Sequence, residues 1–324
     1  MYIRVLLFTI LSISNIYAAQ AELNVQDAHS KTQGIILYNQ LKSESAIPFL
    51  QKASEAGDHE AQYFLAEALR KKNHYMNPEA RKWYEASAKQ GDLYAMIQLG
   101  RIDNDICDVA QDCPTSQKEP IEWLNQAKEI AQEKSEHGNA EAMYIMYEIT
   151  LDESWLQKAA LAGDPQAQYW IAIGYKQGEG FFLPWKRSQE VEKWFKLSSE
   201  KGNPKSMMEY AALLYEKGDI GGFRYWNEQA ALVGNAESVY NFGSYLAHEP
   251  DTFGFPYDPV KGYSLVSSLQ TLDGGGGMQV NVKYKLPIIA AKLTSSQIAE
   301  ANELSKKWAL TNPPLSFFPE KLSR

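Results

Sequence analysis

"KAALAGDPQAQYWIAIGY", residues 158–175, reads as one helix ending and another beginning with barely two residues between them. A glycine just past the last helical residue reaches the left-handed conformation that closes a helix C-terminus without a Cβ penalty. Gly163 therefore stops the run that carries Trp155 and Leu156. Asp164 then opens the next run: its carboxylate accepts from orphan N–H groups of the first turn and sits at the positive end of the helix dipole. Pro165 takes the first helical position, where a missing N–H costs nothing.

This corner repeats. Glycine followed by Asp or Asn recurs at Gly57, Gly91, Gly138, Gly163, Gly202 and Gly234, with steps of 34, 47, 25, 39 and 32 residues. Counting from each glycine as zero, position four is small (Ala61, Ala95, Ala142, Ala167, Ser206, Ser238) and position eight is apolar (Leu65, Leu99, Met146, Ile171, Tyr210, Phe242). Position nine is small in all copies but one, where Tyr147 stands. Eight residues before the glycine comes Trp83, Trp155, Trp194 or Trp226, replaced by Phe49 in the first copy and Ile130 in the third. Such steps belong to paired-helix repeats. A small residue lets the neighbouring helix approach, and the bulky one fills the space beside it, so each hairpin completes its core only by stacking on the next. The pattern predicts an all-α, right-handed α-solenoid of antiparallel helix pairs, irregular around residues 100–160, where the steps are too long and then too short.

Helix A reading A-x-Y-x-x-A/G, then helix B reading W-Y/F/L-x-x-A-A/S and x-x-G-D/N, resembles the Sel-one-like repeat (SLR) family, relatives of the tetratricopeptide (TPR) repeats. "EAQYFLAEAL" (60–69), "RKWYEASAKQGD" (81–92), "LQKAALAGDPQAQ" (156–168) and "PQAQYWIAIGYKQGEG" (165–180) carry the resemblance best, and it extends over roughly residues 31–272. The expected organisation is a leader over 1–21, repeats over 22–272, and capping helices with a tail over 273–324. In the last part, a helix capped near Thr294 or Ser295 carries Ile298, Ala301, Leu304 and Trp308 on one face. The proline-rich tail "TNPPLSFFPEKLSR" (311–324) is expected to be loose or to lie across the last helices.

"MYIRVLLFTILSISNIYAAQA" (1–21) has Arg4, an apolar run over Val5 to Ile13, and Ala19-Gln20-Ala21. That order predicts a secretory signal peptide cut near Ala21, or near Ala18 or Ala19. No cysteine stands near the cut to accept lipid. The expectation is a periplasmic or secreted protein with no membrane insertion after cleavage. Cys107 and Cys113, the only two cysteines, are expected to form a local disulfide in such an oxidising space. Asp103, Asp105, Asp108 and Asp112 lack the spacing and glycine of a calcium loop and are expected to be solvated charge.

The sequence carries no constellation that points to a catalytic residue, cofactor or metal. The five histidines are isolated. Ser198-Ser199-Glu200-Lys201 matches S-x-x-K, but it falls where other copies carry "ASAK" or "KAAL", so repeat register accounts for it. The net charge of −8 argues against nucleic acid and anionic membrane surfaces and leaves another protein as the partner.

Positions three, seven and ten share a helical face that changes from copy to copy. From it come the expected partner-binding residues Glu60, Phe64, Glu67, Tyr94, Gln98, Arg101, Glu141, Glu148, Trp170 and Glu209, with Phe182 and Trp185 added from the loop "GEGFFLPWKR". Acids outnumber bases on this face, which predicts a basic or polar partner. By resemblance, secreted SLR proteins include immunity proteins that block phospholipase effectors of type VI secretion, and envelope assembly scaffolds. Immunity is the specific expectation. A β-lactamase-like branch of the family has a regular cysteine pair in each repeat, and this chain has one pair in total.

Overall fold

The structure is a computed structural model that describes residues 24–101, 118–180, 183–272 and 277–322. The leader, both cysteines with their acidic loop, and Phe182 lie outside these residues. Sixteen helices are described. They run as α1 (Val25–Asn39), α2 (Ser43–Glu55), α3 (His59–Asn73), α4 (Pro78–Lys89), α5 (Leu93–Gly100), α6 (Pro120–Glu136), α7 (Ala140–Thr150) and α8 (Glu153–Ala162). The second half continues with α9 (Pro165–Gln177), α10 (Pro184–Glu200), α11 (Pro204–Glu216), α12 (Ile220–Leu232), α13 (Ala236–Leu246), α14 (Pro259–Ser268), α15 (Met278–Ala290) and α16 (Ser295–Thr311). Each helix packs chiefly on its neighbours in sequence except the last, α16, which packs on α14 rather than on α15, and the whole makes an α-solenoid of the SLR/TPR-like kind.

All six predicted corners form, and all six in the same way. The glycines have φ between 82° and 98°. The N–H of the following Asp or Asn reaches back five residues, as in Asp164 N–H to Ala159 O at 3.0 Å, which is the long bond of a Schellman motif. The side-chain oxygen of that residue then accepts from the N–H at position four, as in Ala167 N–H to Asp164 Oδ1 at 2.7 Å. The same bond joins Ala61 to Asp58, Ala95 to Asp92, Ala142 to Asn139, Ser206 to Asn203 and Ser238 to Asn235.

The size pattern also becomes packing. Every residue at positions four and eight is buried. At position nine, a Cβ on Gly100 would lie 2.3 Å from Leu124 Cγ, so the glycine is the socket for a leucine of α6. A Cβ on Gly262 would lie 2.6 Å from Gly243 O, so α13 and α14 cross with their backbones in contact. The buried residues form three hydrophobic clusters along the chain, and Trp226 packs against the second and third of them.

Two details differ from expectation. Phe49, expected to fill the first repeat, is 38% exposed, and Leu50 beside it is fully buried against Gly34 instead. In the third copy the buried indole is that of Trp123, while Ile130 is only half-buried. The short step from Gly138 to Gly163 arises because α7 turns into α8 through Leu151 and Asp152 alone, with Leu151 left-handed at φ 57° and Asp152 capping Ser154. At the C-terminal end, Thr294 and Gln297 form a capping box for α16, and Ala301 faces the core as expected.

The backbone crossing generates a first prediction. Gly262→Ala pushes a methyl against a carbonyl oxygen that has no side-chain torsion to relieve it, so it should cost about 1–3 kcal/mol of stability. Urea denaturation followed by circular dichroism measures this, and an unchanged midpoint would contradict the close crossing.

Candidate protein-binding groove

The 3/7/10 face proves to be the seam between successive A helices. Tyr94 on α5 donates its hydroxyl to Glu141 Oε1 on α7 at 2.7 Å. Deeper along the same seam, Arg101 Nη2 donates to Glu148 O at 2.7 Å and to Glu148 Oε2 at 3.0 Å, while Tyr144 OH donates to Glu148 Oε1 at 2.9 Å. Further on, Lys176 Nζ meets Glu209 Oε2 at 2.6 Å. At the position-three end, beside the corners, the face opens outward. There Tyr94, Glu141, Gln166 and Lys205 line a concave cleft of about 470 Å³ with Asp164 and Asn203, and the first repeat adds Tyr38 and Phe64. Glu60 lies in an adjoining hollow, where it pairs with Lys31 at 2.8 Å.

The expected partner-binding residues therefore separate. Tyr94 and Glu141 come together in the cleft, with Phe64 buried in its wall. Gln98, Glu67 and Glu148 are buried side chains of the seam, out of a partner's reach. Two of the acids that suggested a basic partner are thus spent internally. Trp170 lies in a separate hollow of about 320 Å³ with Tyr147, Leu156 and Ile173, and Trp185 is 65% exposed at the start of α10. In the loop "EPDTFGFPYDP" (249–259), Phe255 is buried and Phe253 packs on Tyr245 and Phe223, a structural role. Ser198 is also structural: its hydroxyl donates to Pro165 O at 2.7 Å and receives that of Ser206 at 2.6 Å, inside the solenoid.

The carboxylate of Glu67 has no exposed surface. A buried charge is tolerated only with full pairing. Here Tyr84 OH and Gln98 Nε2 each donate to Oε1 at 2.6 Å, Tyr38 OH donates to Oε2 at 3.2 Å, and Arg70 Nη2 stands 3.3 Å from Oε2. One carboxylate thereby ties α1, α3, α4 and α5 together. Burial, reinforced by the Glu67 charge, pushes the hydroxyls of Tyr38, Tyr63 and Tyr84 above their ordinary range.

Sequence reasoning missed the other wall of the cleft, which is the chain's own tail. Ser316, Phe318, Pro319, Glu320, Lys321 and Leu322 line it opposite the corners. The tail neither hangs loose nor lies only on the last helices. Phe317 N–H donates to Asn39 O at 2.9 Å in the first hairpin, and Leu322 is buried in the first core cluster.

The fold and groove define an SLR/TPR-like repeat protein with a concave surface. No family model matches the chain, and no curated protein matches it. Among solved structures, the chain is similar to the protective antigen c5321 of uropathogenic Escherichia coli, which displays an SLR fold, at 20% identity and a TM-score of 0.49 over 92% of this chain. The chain spans 65% of that antigen's length, less than two thirds. It is also similar to a Sel1 repeat protein from Oxalobacter formigenes, with 21% identity, a TM-score of 0.39, and coverage of 75% of this chain and 96% of that one. A third similar structure is PilF of Pseudomonas aeruginosa, with 14% identity, a TM-score of 0.28, and coverage of 80% and 97%.

Two predictions follow from the cage. Tyr84→Phe removes a hydrogen bond to a charged group and should cost about 1.5–3 kcal/mol, and Glu67→Ala, which strands several donors at once, should cost more. Thermal and urea melts of the two variants check the order. The second concerns pH. Because the folded tyrosines hold their protons more tightly than unfolded ones, their contribution to stability should be fully present below about pH 10 and fall as pH rises above it, where unfolded tyrosine ionises. Absorbance titration should show the cage hydroxyls ionising only as the helices melt.

Proposed function

We propose that this chain is a non-catalytic protein-binding module whose partner engages the concave cleft lined by the corner ends of the A helices. The observation that carries the proposal is that Tyr94, Glu141, Gln166 and Lys205, the third residues of four successive copies, line one cleft although they are far apart in sequence. Aromatic, amide, anionic and cationic groups along one concave wall suit an extended protein surface.

The finer reading is an immunity protein that works in the periplasm against a type VI secretion phospholipase. Its support is the leader-like N-terminal sequence and the SLR resemblance, together with a helical surface on which no described helix is long and apolar enough to cross a membrane. If a phospholipase toxin is encoded beside this chain, co-expression of the two in the periplasm tests it. Relief of toxicity by the wild type, with a 1:1 complex by light scattering and at least about tenfold weaker binding for Lys205→Glu or Tyr94→Ala, is the expected result, since a few central residues carry most of the energy of a protein contact. Toxicity unchanged by the wild-type chain would remove the immunity reading.

A further inference from the structure

The tail in the groove is bound as a ligand is bound. Residues 315–322, "LSFFPEKL", have no regular structure beyond one bridge, in which Ser316 N–H donates to Gly234 O at 2.9 Å and Ala236 N–H donates to Ser316 O at 3.0 Å. Phe317 N–H donates to Asn39 O at 2.9 Å, Gln40 Nε2 donates to Leu315 O at 3.2 Å, and Tyr63 OH donates to Lys321 O. These are main-chain contacts, which any extended segment can make. Side chains then add selection. Glu320 pairs with Lys205 at 2.9 Å, the Lys321 ammonium lies 4.6 Å from the Tyr94 ring centre, and Leu322 enters the apolar cluster that holds Tyr38, Tyr63 and Phe64.

Two features mark the tail as a replaceable occupant. Phe318 has φ 47°, in the left-handed region that bulky residues rarely occupy, so the bound tail holds strain that release would relieve. The cleft of about 470 Å³ beside the tail also leaves room along the same wall. Among the six corner glycines, Gly234 alone would press a Cβ onto another segment, meeting Pro314 O at 2.6 Å; at the other five a Cβ meets nothing within 4 Å.

We propose that the groove is a channel for an extended polypeptide segment of a partner, and that residues 315–322 occupy it as an internal copy of that segment. The segment recognised carries an acidic residue for Lys205, a basic residue for the Tyr94 face, and then a leucine for the apolar slot. This deepens the protein-binding reading and rests on it. The covalently attached copy competes at high effective concentration, so the resting chain is closed and a partner must displace the tail.

The test uses the full chain and a fluorescent peptide of sequence LSFFPEKL. Ser316→Pro with Leu322→Asp removes a main-chain donor and the apolar anchor from the tail while leaving every helix intact. The peptide should bind this variant at least about tenfold more tightly than the wild type, because the internal competitor is gone. Lys205→Glu in that background should abolish binding, and a peptide with Lys in place of its Glu should restore it. Equal binding to open and wild-type chains, or binding to neither, overturns the proposal.

Gly234→Ala and Gly202→Ala supply an independent arm. Both impose the same left-handed cost, but only the first pushes on the tail, so only it should speed hydrogen exchange at Ser316 and Phe317. Equal exchange in the two variants also overturns the proposal. Failure here with a partner complex still sensitive to Tyr94→Ala would leave the protein-binding reading standing. Loss of that complex's sensitivity would remove the reading itself.

Discussion

The residue after each corner glycine makes two bonds at once, and the rest of the solenoid depends on that pair. Its N–H closes the helix behind it and its side-chain oxygen opens the helix ahead, so two sets of orphan backbone groups are satisfied by one Asp or Asn. The glycine before it is chosen for conformation alone at five of the six corners, because nothing lies where its Cβ would be. With the turn fixed locally, the direction of each A helix relative to the preceding B helix is fixed as well. The small residue at position four is then brought against that B helix, and the large one at position eight into the core.

From this geometry it follows why most of the fold was legible in the sequence and the site only in part. Corner chemistry is local, so Gly-Asp and Gly-Asn announce it without knowledge of anything distant. The sizes at positions four, eight and nine are dictated by contacts between adjacent helices, and they recur because the contacts recur. The 3/7/10 face was legible as a face but not as a seam. Variation from copy to copy suggested a free surface, whereas Gln98 meeting Glu67, and Arg101 meeting Glu148, show pairwise partners that vary together inside the solenoid. No single copy carries a signal for that, because the partner of each residue lies in another copy. Trp123 taking the place of Ile130 is a smaller case of the same kind: the buried indole is supplied from the start of a long B helix, outside the repeat register.

The Glu67 cage shows what the seam contributes. A carboxylate without exposed surface would be costly in an apolar core, and neighbouring apolar packing could not orient it. Tyrosines from α1 and α4, a glutamine from α5 and an arginine one turn away give it directional partners. Apolar stacking between repeats is tolerant of sliding; hydrogen bonds to one point are not. The cage therefore fixes the first hairpins in one relative position, and with them the mouth of the groove at Tyr38, Phe64 and Tyr94.

The tail connects these levels. Tyr63, whose hydroxyl lies 3.5 Å from Glu67 Oε1, also reaches Lys321 O, so the rigid polar core and the groove's occupant share one side chain. At the opposite end the tail bridges to Gly234, a corner of the late repeats. A solenoid is ordinarily a spring, since each hairpin touches only its neighbours. Here a single extended segment joins the first hairpins to the late ones, a contact that reaches beyond nearest neighbours. A ligand that takes the tail's position would inherit its contacts at both ends, and one too short to span from Gly234 to Tyr63 would leave the coil free to open.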